Sequence, residues 1–402
     1  MKKILLLSII QVLFGFSSFA QWEPQFSGTS NFITSVFFVN DTTGYAVGLG
    51  GTILKTTNAG LVWDSQTSGT TLDLYCVFFT DALTGYTVGD LGTILKSTNG
   101  GQSWFSQSSG ITSTILINVY FIGNTGYIVG NGVILKTTNG GTTWAPQSSG
   151  TSSNLKAVYF VNVDTGYVVG GDVNGGVILK TINGGSDWYN VSTGPNTFLY
   201  FSVFFTDNLI GYIAGGDDNT GQILKTIDGG ETWNFIQNIT SGPLRRLYFP
   251  DSIAGYAVSK FGEILQTSDA GETWNFQQSG TTEFLFGLFF TSEYTGYAVG
   301  NNGTILKTTN GGFPVGINEK QITNNLLITP NPARENISIE LSEPLTNPDG
   351  TLSVYSMTGQ ELISQKFHGS PVVVNVSALL KGLYFIKLMN IEKTGMGKFI
   401  KE

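Results

Sequence analysis

The chain has 402 residues, of which 12% are charged and 53 are glycine, and a net charge of −8. That length allows two or three domains, and low charge with abundant Gly, Phe, Tyr, Val and Thr points to an all-β protein rich in tight turns. The acidic balance, with Arg245, Arg246 and Arg334 the only arginines, excludes the basic face that a nucleic-acid partner requires.

In chain order, the first segment reads as a signal peptide over residues 1–20. Lys2 and Lys3 precede an apolar run over residues 4–16, too short for a comfortable membrane span. Ser18-Phe19-Ala20 then supplies a small-x-small cleavage site. The remaining sequence has no long apolar run, so no transmembrane segment is expected. Cys76 is the only cysteine, which rules out an intrachain disulfide. Its setting, Leu74-Tyr75-Cys76-Val77-Phe78, is that of a small buried hydrophobe on a strand.

Residues 21–312 are repetitive. A Gly-Tyr pair recurs at Tyr45, Tyr86, Tyr127, Tyr167, Tyr212, Tyr256 and Tyr297, spaced 40 to 45 residues apart. An Ile-Leu-Lys triplet follows six of them, ending at Lys55, Lys96, Lys136, Lys180, Lys225 and Lys307, and Gln266 takes the lysine's place in the sixth unit. A Gly-containing turn comes next, at Asn58, Asn99, Asn139, Asn183, Asp228, Asp269 and Asn310. Each unit holds four strand-like pieces, in the first unit residues 35–39, 45–48, 52–56 and 62–66, separated by hairpin turns. Four short strands in about 41 residues make one propeller blade, so the expected fold is a seven-bladed β-propeller. The repeated lysines are expected to lay their stems on apolar surface and keep their ammonium groups in water.

The tryptophans indicate how the ring closes. Trp63, Trp104, Trp144, Trp188, Trp233 and Trp274 follow a unit's turn, but the seventh unit continues into Phe313-Pro314 instead. Trp22-Glu23-Pro24-Gln25-Phe26-Ser27-Gly28 matches Trp63-Asp64-Ser65-Gln66-Thr67-Ser68-Gly69. The N-terminal strand should therefore complete the last blade and remove its open edge.

The turn Thr226-Ile227-Asp228-Gly229-Gly230-Glu231-Thr232-Trp233 resembles the Asp-box, or BNR repeat, of sialidase-like proteins. The whole unit more closely resembles the propellers of photosystem II assembly factors, over residues 21–312. That family's basic surface implies a membrane-protein partner in photosynthetic organisms. Here the triplets carry Lys where the family commonly has Arg, which leaves the photosystem role little support. In the Asp-box, Asn or Asp accepts backbone hydrogen bonds, Gly supplies positive φ, and Trp packs between blades.

A different pattern follows a linker over residues 313–325. Thr329-Pro330-Asn331-Pro332-Ala333 opens it, Leu352-Ser353-Val354-Tyr355-Ser356-Met357-Thr358-Gly359-Gln360 and Leu380-Lys381-Gly382-Leu383-Tyr384-Phe385 continue it, and Lys398-Phe399-Ile400-Lys401-Glu402 ends it. In this order the motifs of residues 326–402 resemble the C-terminal sorting domain of the type IX secretion system. The resemblance implies contact with the secretion machinery, passage across an outer membrane and removal by a surface protease. Six or seven short strands with Gly and Pro turns make this tail a small β-sandwich.

Departures from the repeat are the better pointers to function, because the fold does not demand them. Two positions before the Val-Phe-Phe motif of the first strands stand Tyr75, Lys156, Phe201, Arg245 and Phe286, with Arg246 beside Arg245. A mixed aromatic and basic funnel suits a carbohydrate or a peptide carboxylate. The fourth and fifth units carry longer loops over residues 170–176 and 215–221, in which Asp217, Asp218 and Asn219 offer oxygen ligands but no complete Ca²⁺-loop spacing. His368, the only histidine, lies in the tail, which excludes a His-based triad or a multi-His metal site in the propeller. No cofactor or metal is expected. The sequence favours a secreted or outer-surface binding protein with a glycan or protein ligand on the propeller face. The alternatives are a secreted glycoside hydrolase or lyase with two carboxylates in the central pocket, and a structural or adhesion component of the surface.

Overall fold

The computed structural model describes residues 22–191, 198–312, 326–341, 349–356, 360–390 and 394–402. The expected leader (1–20) and linker (313–325) lie outside the described residues, as do residues 357–359 of the tail motif. The described chain forms two compact units, with the division between residues 312 and 326. Neither contains an α-helix, and no described helix is long and apolar enough to cross a membrane.

In the first blade four antiparallel strands, Ile33–Phe38, Gly44–Gly48, Thr52–Thr56 and Asp64–Gln66, run from the axis outward. The second is buried at every residue and the first at nearly every one, because each blade is covered on both faces by its neighbours. The fourth strand is mostly exposed at the rim. It begins two residues later than its sequence pattern predicts, since Asn58 Oδ1 accepts the Val62 N–H and keeps that residue in the turn.

Among the described residues, seven such four-stranded sheets occupy positions 23–308. Their innermost strands are Ile33–Phe38, Leu74–Phe79, Leu116–Ile122, Asn154–Phe160, Leu199–Phe205, Leu244–Tyr248 and Leu285–Phe290. Each packs on the next, and the last packs on the first. The circle closes as the tryptophan pattern predicts. Glu23–Gln25 pairs with the last blade in the register Glu23 to Lys307 and Gln25 to Ile305. Trp22 is wholly buried, edge-on to Tyr256 and Phe290 at 6.4 and 5.9 Å, and its Nε1 donates to Gln277 Oε1 at 3.1 Å.

The repeated lysines are not the solvated ring that the sequence suggests. Tyr45 Oη and Lys55 Nζ both donate to the carbonyl of Gly100, in the Gly-containing turn of the next blade, at 2.8 and 2.6 Å. The same pair of bonds recurs from Tyr86 and Lys96 to Gly140, Tyr127 and Lys136 to Gly184, Tyr167 and Lys180 to Gly229, Tyr212 and Lys225 to Ala270, and Tyr297 and Lys307 to Ala59. In the sixth blade Tyr256 donates alone to Gly311, and Gln266 donates to the Tyr256 hydroxyl instead. The Gly-Tyr pair and the Ile-Leu-Lys triplet are thus two halves of one blade-to-blade clasp. Its acceptor side is the Gly-containing turn that follows each triplet. There Asp228 accepts from the Thr232 hydroxyl, the Thr232 N–H and the Thr226 hydroxyl, and these bonds, the Thr232 hydroxyl first, hold its pKa down to about 2.

The glycine-rich segment of the fourth unit is mostly an extended hairpin arm, Gly166–Asp172 pairing with Gly175–Thr181 around a short turn. In the fifth unit Gly211–Gly216 pairs with Gly221–Thr226, and residues 217–220 form the expected loop between them. Glycine is required at Gly176, where a Cβ would meet the Tyr200 ring at 2.4 Å.

The tail unit is two sheets. Leu326–Thr329, Asn336–Leu341 and Val372–Asn375 form one, and Asp349–Tyr355, Glu361–His368, Gly382–Asn390 and Thr394–Lys401 the other. Ile328, Ile337, Val372 and Val374 from the first share a core with Leu352, Val354, Ile386 and Phe399 from the second, which is the arrangement of a β-sandwich.

Two outcomes are expected. Trp22→Ala should lower stability by about 3–5 kcal/mol, read as a shift of the denaturant midpoint. An unshifted midpoint would show that the closure contributes nothing. Asp228 has a lower pKa folded than its ordinary 3.8, so its contribution is complete above that value and is lost as pH falls from there to about 2. Thermal midpoints should fall through that window, and Asp228→Asn should flatten this part of the profile.

Candidate functional site

The site begins with a backbone irregularity repeated seven times. Each innermost strand carries a β-bulge where it pairs with the second strand, and the register skips one residue: Thr34, Tyr75, Ile117, Lys156, Phe201, Arg245 or Phe286. A bulged residue stands outside the ladder and its side chain is re-aimed. Here the seven residues form a ring around the axial channel and line one cavity, with Ser35, Cys76, Asn118, Arg246 and Gly287 at the next level down. Tyr75, Lys156, Phe201, Arg245, Arg246 and Phe286 are thereby brought together as the sequence suggests. Thr34 and Ile117 were missed, because nothing in their composition sets them apart. Thr34 is also spent structurally, its hydroxyl donating to the carbonyls of Val47 and Leu74.

Asp217 and Asp218 do not line this cavity. Asp217 Oδ1 accepts the N–H groups of Asn219 and Thr220 and the Thr220 hydroxyl, which is a turn-forming role. Asp218 pairs with Lys260 at 3.1 Å, and its charge acts against the larger effect of burial at Arg245. Among the described residues no cluster of three or more His, Cys, Asp or Glu side chains could hold a metal.

The cavity is about 50 Å³, room for a few water-sized atoms rather than a sugar ring. The Arg245 guanidinium lies over Phe201 at 4.1 Å, with Phe284 at 5.1 Å and Phe286 at 5.9 Å, and Phe32 continues the aromatic rim at 5.4 Å from Phe286. Burial lowers the Arg245 pKa to about 10, and its Nε is buried without an acceptor. Burial also lowers the Lys156 pKa, with the Arg245 charge adding to the effect. Tyr75 donates to Asp90 at 2.9 Å. Its phenol pKa is pushed up by burial first and by Asp90 second. Cys76 is buried, and burial raises its thiol pKa.

Below Arg246 the channel is ringed by aromatic side chains. Phe37, Phe78, Tyr120, Tyr159, Phe204, Tyr248 and Phe289 follow one another around the axis with centroids 5.0 to 5.5 Å apart. They surround a second cavity of about 110 Å³ that Arg246 also lines. A wider groove of about 960 Å³ lies beside the first blade. Its Ser68 and Thr70 belong to a turn in which a serine hydroxyl donates to the carbonyl two residues on, and the same turn recurs at Ser27, Ser109, Ser149 and Ser279. The fold explains that groove, whereas the channel mouth is where the blades differ.

Residues 327–402 match the family model described as a secretion system C-terminal sorting domain. Residues 63–148 match that of the photosynthesis system II assembly factor YCF48. No curated protein matches the chain significantly. Among solved structures, YCF48 bound to a D1 peptide is 17% identical with a TM-score of 0.61, over 73% of this chain and 96% of that one. PorZ, a surface component of the type IX secretion system of Porphyromonas gingivalis, is 12% identical with a TM-score of 0.57, over 94% of this chain and 60% of that one. An ancestral GH74 enzyme is 13% identical with a TM-score of 0.56, over 94% and 63%. At these identities the likenesses establish the fold. The sorting domain marks the chain for the type IX machinery and for the cell surface or extracellular space.

A cation held in a desolvated ring without an ion-pair partner costs stability. Arg245→Leu should therefore raise the unfolding midpoint, by about 0.5–2 kcal/mol. A lowered midpoint would mean that the guanidinium is part of the scaffold.

Proposed function

We propose that the chain is a binding propeller, exported by the type IX system through residues 326–402 and displayed at or released from the cell surface, which takes a glycan or protein ligand at the mouth of its axial channel. In this reading residues 1–20 are a leader removed on export, and residues 313–325 link the propeller to a sorting domain that is cut away. One observation carries the proposal. The positions that the ladder skips are the positions where blades diverge, and they gather basic and aromatic side chains at one opening. The similar propeller described with a bound peptide supports the protein-ligand half of the reading.

The reading as a glycoside hydrolase or lyase has less support. It needs two facing carboxylates about 5–9.5 Å apart, and neither axial cavity has an Asp or Glu among its described lining residues. The structural or adhesion reading gives no reason for placing charged residues inside a channel.

The test is a screen of the exported protein on glycan and peptide arrays beside its Lys156→Ala/Arg245→Ala double variant. Specific capture that drops at least about tenfold in the variant is expected, the scale of losing charge-assisted hydrogen bonds. Capture indifferent to the substitutions would remove the channel mouth as the site, and turnover without capture would reject the binding reading.

A further inference from the structure

The cations of the propeller follow a rule with three exceptions. Among its described residues, Lys55, Lys96, Lys136, Lys180, Lys225 and Lys307 each donate to a carbonyl of the neighbouring blade, and Lys260 pairs with Asp218. Lys180 and Lys225 also meet carboxylates, Glu231 and Glu272. Lys156, Arg245 and Arg246 have neither hydrogen bond nor ion pair, and all three line the same cavity of about 50 Å³. Two come from adjacent positions of the sixth blade and the third from the fourth blade, so their convergence is a product of the ring and not of sequence proximity.

We infer that this cavity binds the carboxylate head of a ligand whose adjoining body is apolar or aromatic. The inference rests on the binding-propeller reading above and adds the chemistry of the ligand. Three like charges in one desolvated space repel one another, and an anion from outside relieves both the repulsion and the missing acceptors. A guanidinium over the Phe201 ring at 4.1 Å, with no hydrogen-bond acceptor of its own, has its N–H groups available to a planar two-oxygen acceptor. The cavity holds the head alone, so the body must rest in the mouth, where Phe32, Phe201, Phe284 and Phe286 supply the walls.

The polar groups nearby argue against a polyhydroxyl ligand. Ser35 Oγ, Asn118 Oδ1 and Ser202 Oγ, one level below the mouth, accept the N–H groups of Val77, Val158 and Leu247 in the next blade. The Thr34 and Tyr75 hydroxyls are donated to Val47, Leu74 and Asp90. A sugar brings several hydroxyls that each need a partner, whereas an apolar acid needs only the cations and the rings. A peptide chain end with an apolar last residue and a free arylalkanoic acid share this chemistry.

The experiment is calorimetric titration of the exported protein with N-acetyl-Leu-Phe as the free acid, the same dipeptide as its C-terminal amide, 3-phenylpropionate and galacturonate. The acid should bind at least about tenfold more tightly than the amide, as expected for charge-assisted bonds. Arg245→Leu and Lys156→Gln should each remove most of that preference, with thermal melting to show that both variants are folded. Tighter binding of the dipeptide acid than of phenylpropionate assigns the site to peptide ends, and the reverse order assigns it to free acids. Equal affinity for acid and amide, or galacturonate binding more tightly than both apolar acids, overturns the inference and leaves the propeller a binding protein of other specificity. No binding of either apolar acid overturns it as well. The array screen, which presupposes no ligand charge, judges the broader reading separately.

Discussion

Everything at the axis depends on the first and last blades meeting. The residues from Glu23 to Gln25 lie against those from Ile305 to Lys307 and complete the last blade, whose edge would otherwise be unpaired, while that blade's inner strand packs on the first and its Tyr297 and Lys307 bond to Ala59 there. The channel, the ring of bulged residues and the aromatic ring at its far end exist because seven blades meet head to tail. Trp22 locks this junction by filling the space between the sixth and seventh blades, where it meets Tyr256 and Phe290.

The remaining blade contacts are built from repeated polar and aromatic parts. Stacked pairs such as Tyr45 on Phe79, with ring centroids 3.9 Å apart, bring the hydroxyl to the neighbouring turn, and the lysine of the triplet doubles that bond. The clasp buries ammonium stems without burying an unmet charge. Against that background the unmet charges at the mouth stand out as a departure from the way this molecule treats every other described propeller cation.

Most of the fold was legible in the sequence because its geometry imposes residue types locally. The turn at Asp228 needs an acceptor side chain and two glycines, and these appear as a spaced motif. Trp22 was informative because the same strand, turn and Trp order was missing at the other end of the array. The lysine acceptors were not legible, since Lys55 bonds to a carbonyl 45 residues away on another blade. The glycine-rich segment over residues 170–176 misled for a related reason: glycine signals a turn, but at Gly176 it also admits Tyr200 against the backbone of a long hairpin arm. Of the site, the odd residues were visible as deviations from the repeat, but the bulge that aims them inward was not, so Thr34 and Ile117 passed unnoticed. The two aspartates drew attention by composition alone, and their oxygens are engaged in a turn and with Lys260.

The bulges separate two demands that usually compete within a strand. A residue in the ladder answers to its cross-strand partner and to the packing on both faces. The skipped residues are released from the first of these, and they line one cavity. Thr34 alone is tied back into the scaffold, through the carbonyls of Val47 and Leu74. The other six can change without giving up a ladder partner, so a rigid hub can acquire a new ligand at its opening while its strand register stays the same.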